Sequence, residues 1–130
     1  MNAPQPDEFQ EKVAALIVRN SNLLDILTKC QTACGKICRS SIKSATGCGC
    51  VKITAEQTLT ALTEKNEFSP REMSGVNGYL CGDCRSSVEK EIGELLFYIA
   101  SLCNALGLSM NEIMTREIKN VEYLGKYSLR

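Results

Sequence analysis

Apolar side chains recur at helical spacing through most of this chain, and the places where the spacing fails divide it into elements. Over the first third, Phe9, Val13, Leu16, Ile17, Leu23, Leu27, Cys30, Cys34, Ile37, Cys38 and Ile42 keep one face apolar. Asp7 followed by Gln10 reads as the start of that helix, an acidic cap with an amide three residues on. Unbroken to about residue 44 it would span roughly 50 Å at about 1.5 Å per residue, more than a small domain's width, so a break is expected at Asn20, Ser21 and Asn22. Residues 45–53 lose the period, and Gly47 and Gly49 around Cys48 predict a tight irregular turn. Only that glycine- and cysteine-rich stretch, ending in Val51, Lys52 and Ile53, argues for a strand.

Thr54 with Gln57, and Ser69-Pro70-Arg71-Glu72, resemble capping boxes and predict two short helices. The glycines, serine and asparagine between Met73 and Tyr79 predict a loop leading to Cys81 and Cys84. From Val88 onward, Ile92, Leu95, Leu96, Ile99, Leu102, Cys103 and Leu106 predict a helix that Gly107 ends in a left-handed cap. Ser109 and Glu112 form a further capping box. Met110, Ile113, Met114, Ile118, Val121 and Leu124 would give a last helix its buried face, the short link making an antiparallel hairpin. The expected class is all-α, an antiparallel helical bundle with a cysteine-rich loop, in one domain over residues 1–130.

Composition narrows the chemistry. Fifteen basic and fifteen acidic residues balance, so there is no electrostatic footprint for nucleic acid or an anionic membrane surface. No run approaches the roughly 20 apolar residues of a membrane span, and the first residues are neither basic nor apolar, so a cytoplasmic protein is expected. In that compartment eight cysteines point to metal or thiol chemistry rather than disulfides. Histidine is absent, which removes the commonest general base and neutral metal ligand together.

Cys81-x-x-Cys84 is the strongest local signal, because two intervening residues let both thiolates face one tetrahedral ion. Cys48-x-Cys50 is a weaker one. If the first long helix and the later one run antiparallel, Cys38 approaches Cys84, and Cys38, Cys48, Cys50, Cys81 and Cys84 converge. Such a set suits zinc or an iron–sulfur cluster. Plain packing and a redox-active dithiol are the other readings of the 81/84 pair, since a helix N-terminus stabilises a thiolate. Cys30 and Cys34 suit either core or metal, and Cys103, inside an apolar stripe, suits the core.

The stretch from Glu91 to Met114, EIGELLFYIASLCNALGLSMNEIM, resembles the second half of the MazG-type nucleotide pyrophosphohydrolases, with a match over residues 88–127. In that family an E-x-x-D helix runs into an L-x-Y-x-x-x-L-x-N-x-L-G pattern and a capped final helix. The resemblance implies an antiparallel helical bundle assembled as a homodimer or homotetramer. It also implies a nucleoside triphosphate as substrate and magnesium or manganese held by carboxylates. Glu91 and Glu94 fall on the acidic pair and would be the catalytic, metal-facing acids. Arg116, Lys119 and Asn120 fall where the family holds phosphate oxygens, although by residue type alone they are an ordinary solvated face. The family's earlier acidic motif falls by helix order on Cys30 to Cys34, where no carboxylate stands. Sulfur there is poorly matched to magnesium, which wants oxygen ligands.

Overall fold

The computed structural model describes residues 5–16, 22–54 and 70–127. Helix α1 spans Pro6–Ala15 and α2 Leu23–Lys43; α2 runs into a π-type turn at Ser44–Cys48. Strand β1 is Val51–Ile53, α3 is Pro70–Met73, β2 is Val76–Gly78, α4 is Gly82–Leu106 and α5 is Met110–Tyr127. The described residues are therefore mostly all-α, with a two-stranded ribbon. Among the described residues no single helix is long and apolar enough to cross a membrane. Residues 17–21 and 55–69, where part of the first break and the helix after Thr54 were expected, lie outside the described residues. The chain forms two compact units, Met1–Thr32 with Glu94–Arg130, and Ala33–Gly93.

In the first unit, α1 starts at Pro6 rather than after Asp7; proline is suited to the first turn, where its missing N–H has no intrahelical partner. Asp7 and Gln10 instead serve the start of α5, about a hundred residues away in sequence. Asp7 Oδ1 accepts from Ser109 Oγ at 3.1 Å and from the Asn111 N–H at 3.4 Å. Gln10 Oε1 accepts from the Met110 N–H at 2.9 Å, while its Nε2 donates to Asn104 Oδ1 at 3.0 Å and Leu108 O at 2.6 Å. The expected cap within α5 is present as well, with the Glu112 N–H on Ser109 Oγ at 3.2 Å. Gly107, at φ 70°, ends α4 as expected, and the Leu108 N–H reaches back to Cys103 O at 2.8 Å.

Behind these bonds lies a small core of Val13, Ala100, Cys103 and Met110, with Phe9, Phe97 and Ile99 against it. Cys103 is a core side chain, as its stripe implied, and burial pushes its thiol up. Gln10→Ala removes both a cap and a clamp, and should destabilise the protein by about 1–3 kcal/mol. A urea midpoint indistinguishable from that of the parent chain would contradict this.

Two expectations about these helices are corrected. The chain turns through 109° between α4 and α5, an open corner instead of a folded-back hairpin. Along α5, Met110 is buried, but Ile113, Met114, Ile118 and Val121 are each more than 40 % exposed. The helix packs on α1, and further along its apolar stripe only Leu124 is half-buried.

Asn22 caps α2, its Oδ1 accepting from the Leu24 N–H at 2.9 Å. The most buried positions along α2 are Ile26 and Ala33, followed by Ser44 in the turn, with Cys30 and Ile37 half-buried between them. Leu23, Leu27, Cys34, Cys38 and Ile42, assigned to the apolar stripe by residue type, are exposed.

In the second unit, α2 ends through a five-residue turn in which the Gly49 N–H reaches Ser44 O at 2.9 Å. Gly49 takes φ 82°, a left-handed conformation that glycine adopts without steric cost. Strands β1 and β2 pair antiparallel, Val51 opposite Gly78, Lys52 opposite Asn77 and Ile53 opposite Val76. The Thr54 N–H continues the ladder to Gly75 O at 2.9 Å.

Candidate metal centre

The ribbon register explains which sulfurs meet. The ribbon ends where Val51 lies opposite Gly78, and three residues beyond that pair on each side Cys48 and Cys81 have their Sγ atoms 3.8 Å apart. Cys50, between the turn and the first strand, has its Sγ 3.6 Å from Ser44 O. Helix α4 starts earlier than its apolar stripe suggested, at Gly82, so that Cys81 is its cap and Cys84 lies in its first turn. The Cys84 N–H points at Cys81 Sγ at 3.4 Å, sulfur doing what a serine or aspartate oxygen does at other helix starts, while the Arg85 N–H reaches Cys81 O at 2.8 Å.

The result is a group of four, Cys48, Cys50, Cys81 and Cys84, whose Sγ atoms all lie within 4.8 Å of one another. None of the eight cysteines is in a disulfide. Zinc–sulfur bonds of about 2.3 Å at tetrahedral angles set neighbouring sulfurs roughly 3.8 Å apart, so the 48–81 separation already has single-ion dimensions. A disulfide would need about 2.05 Å. An iron–sulfur cluster interposes several atoms between its thiolates and spreads them further. Four sulfurs and no histidine or carboxylate in the group make a soft, closed donor set.

The electrostatics are uneven. The Cys84 N–H on Cys81 Sγ, then the Cys84 thiol, bring the Cys81 thiol down from its ordinary 9.0 to about 7. Cys84 is pushed up to about 12, first by Cys81 and then by Cys50, and Cys48 is raised chiefly by Cys81. A single negative charge shared among four sulfurs is held best at the helix start. In the metal-free protein, the stabilisation from Cys81 is complete above 9.0 and is lost as pH falls through about 7. That from Cys84 is complete below 9.0 and lost as pH rises towards about 12. Metal-free stability should therefore climb from pH 7 to 9 and decline beyond it, and iodoacetamide at pH 7 should label Cys81 before Cys84. Peptide mapping that finds Cys84 labelled first would refute this ordering.

Of the other candidates, Cys34 and Cys38 are exposed on α2 and stand outside the group, as does half-buried Cys30. For Cys34 and Cys38 this follows from the face of α2 that is buried. Glu91 and Glu94 are half-buried on α4, and among the described residues no third ligating side chain joins them in a metal-sized group. Arg116, Lys119 and Asn120 are exposed on α5, Asn120 Nδ2 donating to Glu117 Oε2 at 3.5 Å. What sequence reasoning missed was β2: read as a loop, Val76–Gly78 is the segment whose pairing brings 81 to 48. The only available signal was Val76 at a spacing that could mirror Val51 to Ile53.

Fold and site together define a mostly all-α chain bearing four convergent thiols of single-ion dimensions. No protein-family profile, no curated protein and no solved structure matches the chain.

Proposed function

We propose that this is a thiolate metal protein in which Cys48, Cys50, Cys81 and Cys84 hold one zinc ion in a closed tetrahedral site. The observation that supports it is the mutual approach of all four sulfurs to within 4.8 Å. With every position taken by a cysteine there is no open place for water or substrate, so the ion organises structure and does not catalyse. It ties the end of α2, the first strand and the start of α4 into one node.

Elemental analysis of anaerobically purified protein should find one zinc per chain, falling below a tenth of that in the Cys81→Ser/Cys84→Ser double variant. Stoichiometric iron with visible absorbance would overturn the zinc assignment. Metal-free protein with an intact ribbon and a reversible disulfide within the four would overturn the metal reading in favour of a redox dithiol.

A further inference from the structure

Beside the four sulfurs, and within the same unit, lies a cavity of about 470 Å³, in the size range of small-molecule sites. Its walls are largely apolar: Val51, Ile53, Val76, Leu80 and Val88. Two arginines, Arg71 and Arg85, also line it, and among the described residues no acidic side chain does. Two of its three serines turn their hydroxyl protons to the backbone, Ser44 Oγ donating to Ser41 O at 2.5 Å and Ser74 Oγ to Arg71 O at 2.6 Å. Arg71 is held in place, donating to Gly78 O and lying 4.1 Å over the Tyr79 ring. Arg85 is partly offset by Glu89 at 3.5 Å, an exposed pair worth little. Among the described residues, two guanidinium groups against one carboxylate leave about one net positive charge at an apolar cavity.

We infer that this cavity binds a small organic monoanion with an apolar body, its head group on Arg71 and Arg85 and its body against the valines, Ile53 and Leu80. Guanidinium groups suit such a head because their paired N–H donors match a carboxylate's oxygens. The inference goes beyond the metal reading but shares its ribbon: Val51 follows Cys50 and Leu80 precedes Cys81, so the walls are continuous with the metal ligands. Occupation of the sulfur site should accordingly strengthen binding of the anion.

The test uses the full chain with its metal content measured beforehand, octanoate as the probe and 1-octanol as its uncharged counterpart. Amide shifts in the ¹H–¹⁵N spectrum should move saturably at Val51, Ile53, Val76 and Leu80 with octanoate. Octanol should bind roughly tenfold more weakly, and Arg85→Met should weaken octanoate by a similar factor. Arg71→Met serves as a second variant, with the dispersion of the β1 and β2 amides checking that the ribbon survives. Equal binding of octanol, shifts confined to the apolar stripe of α5, or no saturation in metal-loaded protein would overturn the inference. Arg85-dependent octanoate binding in a chain that never takes up metal would support the cavity and defeat the zinc proposal, so the two failures are distinguishable.

Discussion

If the four sulfurs hold zinc as proposed, removing it with a strong chelator is expected to strip amide-exchange protection from the Ala33–Gly93 unit while leaving the Met1–Thr32/Glu94–Arg130 unit largely protected. The reason is how little apolar surface the described residues of the former unit bury. Among them only Ala33, Ser44 and Val51 are buried, and full burial of one valine contributes only about 1.5–3 kcal/mol. Ordering each residue's backbone costs about 1–2 kcal/mol, more than those three side chains return for a long turn and a three-residue ribbon. A structural zinc site supplies about 10–16 kcal/mol of apparent binding energy at neutral pH, and in a small unit that energy is folding energy. The other unit has its own cluster around Val13, Ala100, Cys103 and Met110. Exchange followed by mass spectrometry should therefore show peptides over Val51–Ile53 and Val76–Gly78 losing protection first. Unchanged protection after verified removal of the metal would show that the sulfurs are not what holds this unit.

Gly78→Ala should be nearly as damaging, without touching a ligand. Gly78 sits at φ 89°, and a Cβ built there would lie 2.7 Å from Cys50 O and 3.5 Å from Val51 Cα. Both are backbone atoms, so no side-chain rotation relieves the clash. The left-handed conformation alone costs a non-glycine residue about 1–3 kcal/mol, and relief of the clash must move Cys50, a member of the sulfur group. Gly75→Ala meets the same obstacle, its Cβ 2.2 Å from Thr54 O at φ 77°. Zinc competition against a chromophoric chelator should show at least tenfold weaker binding for Gly78→Ala. Gly35→Ala is the control: nothing lies within 4 Å of the added Cβ, and in a helix interior the exchange should stabilise by about 0.5–1 kcal/mol. Wild-type zinc affinity in Gly78→Ala would mean that the ribbon does not position Cys50.

What was readable in the sequence was local, and what was missed depended on distant partners. The helical class, the Gly107 stop, the Ser109 cap and the burial of Cys103 follow from spacings of a few residues and are all present. The convergence of the 48/50 turn on the 81/84 pair was also legible, because cysteines at those spacings have few other uses. Cys38 was drawn in by assuming that the first long helix and the later one run antiparallel with Cys38 turned towards Cys84, whereas Cys38 is exposed and the sulfur group forms without it. The Asp7 and Gln10 pattern has the spacing of a local cap, yet its partners are Ser109, Met110 and Asn111. Three-residue strands carry too few alternations to register as a period, and their pairing joins positions some 25 residues apart.

The sulfur of Cys81 occupies two offices at once, closing the thiol quartet and receiving the first inward-turned amide of a 25-residue helix. Starting a helix is its least favourable step, since several dihedral angles must be fixed before the hydrogen bonds accumulate. Arrival of the ion at that sulfur would fix the same geometry in advance, making capture of the metal and the winding of α4 a single event on the folding path.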